Sequence, residues 1–209
     1  MKDWSIETRA VQSGYSPKNG EPRVTPIAQS TTYKYDTCQS IADLFDLKAP
    51  GHMYSRISNP TVEVFENKMA ALEGGVGALA LSAGQTASTL SILNICEAGE
   101  HFVALSTLYG GTFNLFKHTM KKLGVEVTFV SPDAPVEEIR QAFKENTKLL
   151  FGETLSNPGT EMLDFEKFAP IAKEMGFPFI IDNTFPTPYL FNPLEHGPAR
   201  TAPAADPCC

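Results

Sequence analysis

The 209-residue sequence has an excess of acidic over basic residues and no long apolar run, and these two absences exclude whole classes of protein. Its 17 Lys and Arg are outnumbered by 24 Asp and Glu, which gives a formal net charge of −7. Because no basic stripe is present to displace counterions from phosphates, the composition disfavours a nucleic-acid partner. No apolar stretch approaches the roughly 20 residues of a membrane span, and the first residues lack the apolar core of a signal peptide. We therefore expect no membrane partner and a cytoplasmic location.

Cysteine and histidine are scarce as well, with four of each. Cys38 and Cys96 are isolated, which fits a cytoplasmic protein, and Cys96 falls in an apolar helical pattern that predicts inert packing. The histidines have no metal-ligand spacing, so we assign no metal. The dinucleotide fingerprint G-x-G-x-x-G is missing, which argues against a nicotinamide or flavin dinucleotide site.

What the sequence does contain, from Asn59 onward, is a regular alternation of helical patterns and short apolar runs. The runs are Ala78–Leu81, Phe102–Leu105, Val125–Val130, Leu149–Phe151 and Phe177–Ile181, and the helical patterns lie near residues 85–97, 112–123, 136–145 and 164–175. Such alternation is typical of βαβ units, so it predicts an α/β fold with a mostly parallel sheet and helices on both faces. Pro170 predicts a kink or a late start in the last of these helices.

Three segments follow from the change in composition along the chain. Residues 1–57 are polar and turn-rich, with one short helical pattern at residues 41–47, and they predict an arm that cannot form its own core. Residues 58–197 hold the alternating pattern and predict a single, incomplete α/β domain. Residues 198–209 contain Pro, Ala and Cys without periodicity, and they predict a disordered tail.

Polar motifs follow the predicted strands, at the place where parallel sheets bind their ligands. SAGQTAS leads from a strand into a helix and leaves the backbone N–H groups of Gly84 and Gln85 free for a phosphate. Tyr109 follows the next strand and can cover a flat ring. Asp182 leaves a strand of Phe and Ile, where a carboxylate needs a cationic partner such as Arg, Lys or a protonated ring nitrogen.

Two further motifs complete the set. Asn157 lies in ETLSNPGT, and YSRISNPT places Tyr54 and Arg56 two residues apart on one side of an extended segment, as a phosphate clamp would be. Jointly the motifs describe a site for a flat, phosphorylated, aromatic cation, and pyridoxal phosphate fits, with Asp182 keeping its ring nitrogen protonated. Taken singly, each has a structural alternative: a tight turn at Gly84, a core tyrosine at 109, a turn-forming Asn157, a loop-capping Asp182 and a surface Arg56.

These motifs carry a resemblance to a known family. The sequence resembles the Cys/Met-metabolism family of pyridoxal-phosphate enzymes in YSRISNPT, SAGQTA, STLYGGTFNLF, ETLSNPGT and DNTF, in family order, over residues 5–197. STLYGGTFNLF and ETLSNP are typical of its sulfhydrylase branch. The resemblance implies an amino-acid substrate and a γ-replacement, in which sulfide or a thiol displaces acetate from O-acetylhomoserine to give homocysteine or a thioether. A relative of methionine γ-lyase or cystathionine γ-synthase is the alternative.

The resemblance also implies what single residues do. Asp182 would pair with the pyridine nitrogen, and Tyr109 would stack on the ring and take part in proton transfer. The amides of Gly84 and Gln85 would hold the phosphate, and Asn157 would contact the ring oxygen or the substrate.

Two implications concern the assembly and the completeness of the site. Tyr54 and Arg56 would reach the phosphate of a neighbouring subunit, which implies a homo-oligomer with shared sites. After Gly197 the sequence PARTAPAADPCC does not match the sequence that follows in the family, which carries the Schiff-base lysine. We therefore expect this chain to be inactive alone, or to be a non-catalytic partner that assembles with longer subunits.

Overall fold

The structure, a computed structural model, describes residues 4–197 in full and the backbone of residues 199–202. The chain divides into two compact units, Met1–Ala80 and Leu81–Cys209. The domain boundary expected after residue 57 stays a prediction about the organisation of the complete family domain. Within the part of the chain that the structure describes, no helix is long and apolar enough to cross a membrane.

The first unit is an irregular chain with three helices: α1 (Ile6–Gln12), α2 (Cys38–Phe45) and α3 (Pro60–Glu73). The Arg9 guanidinium on α1 donates a hydrogen bond of 3.1 Å to the carbonyl of Ala71 on α3. Among the described residues of this unit, Leu44 is the one large apolar side chain that is fully buried. The arm expected over residues 1–57 stays a prediction.

α3 begins and ends where its sequence indicates. The Asn59 side chain caps the helix by accepting the Thr61 N–H at 2.9 Å, and Pro60 occupies the first helical position. Gly74 ends the helix with a φ of 72°, a left-handed conformation that costs glycine little.

The second unit contains a five-stranded parallel sheet in the order β2-β1-β3-β4-β5. The strands are β1 (His101–Leu105), β2 (Glu126–Val130), β3 (Thr147–Glu153), β4 (Phe179–Asp182) and β5 (Ala199–Ala202). All of the pairings are parallel. The predicted α/β class with a parallel sheet is therefore confirmed.

Helices cover both faces of this sheet. α4 (Gly84–Leu93) and α5 (Gly110–Asn114), which continues into a π-helical turn at Leu115–Met120, supply buried side chains on one face. α6 (Val136–Gln141) and α7 (Phe165–Met175) supply them on the other. Two short helices, α8 (Thr187–Leu190) and the 3₁₀ helix Pro193–His196, follow β4.

The face of the sheet under α4 and α5, called the α4 face below, has an aromatic core. Phe116 from the π-helical turn packs edge-on against Phe102 of β1 and Phe151 of β3, with ring centroids 5.0 and 4.9 Å apart. Because side chains alternate along a strand, Phe151 and Glu153 of β3 point to this face, as do Ile180 and Asp182 of β4. This alternation places two carboxyl groups at the end of an otherwise apolar surface.

Ala78–Leu81 was predicted as a strand, and that prediction is wrong. The segment forms no ladder, and Leu79 is 72% exposed. Apolar residues alone do not make a strand, because a strand also requires a neighbouring backbone to pair with. The Ala80 N–H donates to the Glu66 carboxylate at 2.8 Å instead.

The prediction of an unstructured tail fails over Ala199–Ala202, which form β5 beside β4. Backbone pairing does not require apolar periodicity, so the composition of a segment does not predict such a strand. The rest of the predicted tail lies outside the described residues. α7 also starts at Phe165 and runs on through Pro170, so the late start expected there does not occur.

Candidate active site

The candidate site lies at the carboxyl ends of β1, β3 and β4, on the α4 face. Glu153 and Asp182 are register partners on neighbouring parallel strands, so their side chains leave the same edge of the sheet on the same face. α5 begins after β1 reaches this edge, and the Gln85 side chain joins the first turn of α4 to α5. The ends of the strands and the starts of the helices thus bring together residues that lie about 100 positions apart in the sequence.

Asp182 is held at the end of β4 by the residue two positions later. Its Oδ1 atom accepts hydrogen bonds from the Thr184 N–H at 3.0 Å and from the Thr184 hydroxyl. Burial raises the pKa of Asp182 above its ordinary value, and the two hydrogen bonds from Thr184 offset part of that rise. Within residues 4–197, none of the ion pairs involves Asp182. The carboxyl group is therefore poised to accept a cation.

Tyr109 presents its ring at the start of α5. The residue is the N-cap of this helix, and its side chain is 50% exposed, which leaves the ring available to a ligand rather than buried in the core. Its N–H donates a hydrogen bond of 2.8 Å to the Glu153 carboxylate on β3. A Cβ atom on Gly111 would come within 2.6 Å of Cε1 of the Tyr109 ring. The ring can therefore occupy this position only because residue 111 is glycine.

Gly84 and Gln85 form the first turn of α4. The N-cap residue Ala83 makes no side-chain capping hydrogen bond, so no side chain competes with an anion for the first amides of the helix. The Gln85 side chain is engaged elsewhere, donating to the Thr112 hydroxyl on α5 at 3.0 Å. Gln85 therefore joins the starts of the two helices and has its backbone N–H to offer to a ligand.

Asn157 lies in a tight turn after β3, half-buried and followed by a cis peptide bond to Pro158. The turn closes through hydrogen bonds between Ser156 and Glu161, with Ser156 accepting the Glu161 N–H through its side chain at 2.9 Å. The structure thus gives Asn157 the turn position that its sequence indicates. A ligand contact for this side chain stays a prediction.

Tyr54 and Arg56 lie in the first unit and are described there by themselves. The extended segment expected for them is wrong, because residues 54–58 form a turn in which the Ile57 N–H donates to the Tyr54 carbonyl at 2.8 Å. The turn still brings the two side chains together, and the Arg56 guanidinium carbon is 5.1 Å from the centroid of the Tyr54 ring. A phenol and a guanidinium are therefore available side by side.

A polar cluster behind this turn holds it in place. The Asn59 amide group donates to the Ser55 hydroxyl at 3.0 Å and to the Tyr33 hydroxyl at 3.2 Å, while its oxygen caps α3. Tyr33 and Ser55 are themselves 2.9 Å apart through their hydroxyls. The same asparagine therefore fixes both the turn and the helix that follows.

Glu153 was missed by the sequence reasoning, which considered only Asn157 in ETLSNPGT. Its signal was nevertheless present, because only Gly152 separates this carboxylate from the buried run Leu149–Phe151, and Asp182 likewise follows a buried run. Burial raises the pKa of Glu153 to about 7, against the opposing effect of the Tyr109 N–H and with a smaller contribution from the negative charge of Asp182. In the described residues, no cluster of three or more His, Cys, Asp or Glu side chains suitable for a metal ion occurs.

Comparison with known proteins identifies relatives over almost the whole chain. The model of the family "Cys/Met metabolism PLP-dependent enzyme" matches residues 7–199. An O-acetyl-L-homoserine sulfhydrylase from Leptospira meyeri is 45% identical over 94% of this chain and 44% of its own length. A homocysteine/cysteine synthase from Saccharomyces cerevisiae is 41% identical over 92% of this chain and 44% of its own length.

A solved structure gives the same result in three dimensions. An O-acetylhomoserine (thiol)-lyase from Campylobacter jejuni, which contains N'-pyridoxyl-lysine-5'-monophosphate, has a TM-score of 0.89 and 33% sequence identity to this chain. The match covers 93% of this chain and 48% of the Campylobacter jejuni chain. The present chain thus spans about half the length of the relatives that it matches.

Proposed function

The chain belongs to the Cys/Met-metabolism family of pyridoxal-phosphate enzymes, and on that premise we propose that the whole protein replaces the γ-substituent of O-acetylhomoserine with sulfide or a thiol. The products would be acetate and either homocysteine or a thioether. The names of the Leptospira meyeri and Saccharomyces cerevisiae relatives support this choice within the family. We also propose a cytoplasmic homo-oligomer without nucleic-acid or membrane partners, in keeping with the negative charge and with apolar runs that are all too short to span a membrane.

One observation carries the proposal: a half-buried carboxyl group with a raised pKa stands at the end of β4 and has no ion pair among residues 4–197. Pyridoxal phosphate bears a ring nitrogen that is cationic when protonated, and this nitrogen would be the cationic partner of the Asp182 carboxylate. An exposed aromatic ring and the start of a helix without a side-chain cap lie along the same edge of the sheet. The described residues therefore fit the cofactor.

In this proposal each residue has a binding or orienting role. The Asp182 carboxylate accepts a hydrogen bond from the protonated ring nitrogen. The two hydrogen bonds from Thr184 fix the orientation of this carboxylate. Tyr109 covers one face of the ring, the amides of Gly84 and Gln85 hold the phosphate with help from the helix dipole, and Asn157 contacts the ring oxygen or the substrate. When bound, pyridoxal phosphate withdraws electrons from the substrate carbons next to the amino group.

Tyr54 and Arg56 would complete a phosphate site in a neighbouring subunit of the assembly. The stacked phenol and guanidinium offer one O–H and several N–H donors, which suits the three acceptor oxygens of a phosphate monoester. The assembly is thereby part of the proposed site, since these two side chains would serve a partner rather than their own chain.

The reaction forms one bond and breaks one bond at the γ-carbon of the substrate. The sulfur of sulfide or of a thiol bonds to this carbon, the bond from the carbon to the ester oxygen breaks, and acetate leaves with the electron pair. The proton of the attacking thiol is released to a base. Tyr109, at the open edge of the site, is the side chain that we propose for transferring protons between substrate atoms.

Binding of pyridoxal phosphate by the 209-residue chain tests the proposal at its central residue. In equilibrium dialysis, Asp182→Asn should weaken binding by about 10- to 100-fold, the effect of losing a hydrogen bond to a charged group. The melting temperature of the apo chain should not fall, because the variant removes a half-buried carboxylate whose pKa is raised. Asp133→Asn, at an exposed position, is the matched control and should bind like the wild type. Equal affinity of wild type and Asp182→Asn would contradict the proposal.

A further inference from the structure

Glu153 is a buried carboxylate that the roles given above do not use. It is the last residue of β3 and only 8% exposed, although glutamate seldom occurs at such positions without a partner. Its register partner on β4 is Asp182, so the two carboxyl groups leave adjacent strand ends on the α4 face. Adjacent parallel strands lie about 4.8 Å apart, which is close for two groups of the same charge.

The partner of Glu153 is the backbone of Tyr109. The Glu153 Oε1 atom accepts the Tyr109 N–H at 2.8 Å, and Tyr109 is the N-cap of α5. In a capping box, a glutamate three residues into a helix accepts the N–H of the N-cap residue. Here a glutamate on a neighbouring strand makes that bond, which ties the start of the helix to the sheet.

We infer that Glu153 is a positioning residue, which fixes Tyr109 at the edge of the sheet and keeps a second carboxyl group beside Asp182. This inference rests on the proposed function for the identity of the ligand, although the contact with Tyr109 stands without it. Three elements meet at Glu153, namely the ends of β3 and β4 and the start of α5. A change in its side chain should therefore move Tyr109 relative to the end of β4 that carries Asp182.

The charge on Glu153 links this contact to ligand binding. Its pKa is about 7, because burial disfavours the charge, the Tyr109 N–H favours it and the nearby Asp182 disfavours it. A cation bound at Asp182 would neutralise that neighbour and attract the Glu153 carboxylate as well, so ligand binding should lower the pKa of Glu153. An ionised Glu153 accepts a stronger hydrogen bond, and Tyr109 should become more firmly held as the site fills.

Nuclear magnetic resonance of the 209-residue chain tests the contact without any ligand. The carboxyl carbon of Glu153 and the amide proton of Tyr109 should titrate together, with one midpoint near pH 7. In Glu153→Gln the titration of the Tyr109 amide should vanish. In the control Glu161→Gln, at an exposed residue of the turn after β3, the titration should persist. If the Tyr109 amide of the wild type does not follow the Glu153 carboxyl group, the inference is wrong, and this result requires no variant to fold.

Pyridoxal phosphate added to the same samples separates the inference from the proposed function. Binding to Glu153→Gln should be about three- to tenfold weaker than to the wild type, the effect of one net hydrogen bond, and binding to Glu161→Gln should be unchanged. If the Glu153 carboxyl group and the Tyr109 amide titrate together in a chain that binds no cofactor, this result would support the positioning of Tyr109 and count against the proposed function. Cofactor binding that is identical in wild type and Glu153→Gln would overturn the inference while leaving the proposed function intact.

Discussion

Among single residues, His101 combines complete burial with two hydroxyl partners. Its Nδ1 lies 2.8 Å from the Thr147 hydroxyl and its Nε2 lies 2.8 Å from the Thr128 hydroxyl, so one imidazole joins β1 to β2 and β3. Burial, assisted by the positive charge of Lys144 and opposed by Glu126, lowers the pKa of His101 to about 4. The imidazole is therefore neutral in the folded protein at pH 7.

This lowered pKa predicts how stability depends on pH. An unfolded histidine has a pKa near 6.5, so between about pH 6.5 and 4 the unfolded chain binds a proton that the folded chain refuses. The contribution of His101 is complete above pH 6.5 and is lost as the pH falls toward 4. From pH 7 to pH 5 we expect the free energy of unfolding to fall by about 2 kcal/mol on this account.

Urea unfolding at pH 7 and pH 5 gives the change in the free energy of unfolding with pH for wild type and for His101→Gln. The difference between these two changes measures the contribution of His101. Carboxyl groups with raised pKa values, such as Glu153, change stability in the opposite direction, and the subtraction removes them. His118→Gln, at an exposed histidine, should retain the wild-type slope. Equal slopes for wild type and His101→Gln would contradict the prediction.

Gly111 gives a second prediction at this scale. Alanine suits a helix better than glycine by about 0.5–1 kcal/mol, so neither Gly111→Ala nor Gly110→Ala should destabilise α5 through its backbone. Only at 111 would the new Cβ displace the Tyr109 ring, since nothing lies within 4 Å of a Cβ at 110. Gly111→Ala should therefore weaken pyridoxal-phosphate binding while Gly110→Ala leaves it unchanged. Thermal melting and equilibrium dialysis provide the two measurements, and equal binding by both variants would exclude a role for the ring position.

At the scale of elements, α7 contains a proline where a helix normally has a hydrogen bond. Pro170 is the sixth residue of the helix and cannot donate to the carbonyl of Glu166. Pro170→Ala should therefore raise the free energy of unfolding by about 1–3 kcal/mol. Pro60→Ala, at the first position of α3 where proline is favoured, is the matched control and should not stabilise. Chemical unfolding of the two variants measures the contrast, and a neutral Pro170→Ala would mean that other contacts compensate for the missing bond.

The sequence predicts those elements whose cause is local or periodic. α3 follows from Asn59, Pro60 and Gly74, each of which acts within one turn of the helix. β3 and β4 follow from apolar runs, because the central strands of a parallel sheet are covered on both faces. The positions of Tyr109 and Asp182 at strand ends follow from the same pattern.

The remaining features depend on partners that periodicity does not reveal. Ala78–Leu81 has the composition of a strand without a neighbour to pair with, whereas Ala199–Ala202 has the neighbour without the composition. The bond between Glu153 and Tyr109 joins residues 44 positions apart through a backbone N–H, which leaves no trace in residue types. Long-range backbone contacts are thus the part that this sequence could not show.

At the scale of the whole molecule, Lys144 and Lys148 lie at the end of the sheet opposite to the candidate site. Lys144 and Lys148 pair with Glu126 and Glu100 near the start of β3. At about 3.3 Å per residue, the five-residue step along β3 from Lys148 to Glu153 spans roughly 16 Å, and Lys144 lies before the strand begins. We therefore expect the 209-residue chain, treated with pyridoxal phosphate and borohydride, to show no single stoichiometric pyridoxyl-lysine and no turnover of O-acetylhomoserine with sulfide.

Peptide mass spectrometry after borohydride treatment decides this prediction. The Campylobacter jejuni relative, whose structure contains a pyridoxyl-lysine, is the positive control. Scattered substoichiometric labelling of surface lysines agrees with the expectation. One fully labelled lysine together with homocysteine production would contradict it and would identify a catalytic lysine outside the family's motif.

The strand order β2-β1-β3-β4-β5 sets a direction for synthesis on the ribosome. After β1 and β2 have paired, β3 adds to the free edge of β1, and β4 and β5 then each add to the strand made just before them. Among the described strands, no later strand has to insert between two earlier ones. About 30 residues separate the ends of β3 and β4, and at about 5–20 residues per second the edge of β3 would stay unpaired for roughly 2–6 s. The arrangement lets the described sheet grow from one side, strand by strand, in the order of synthesis.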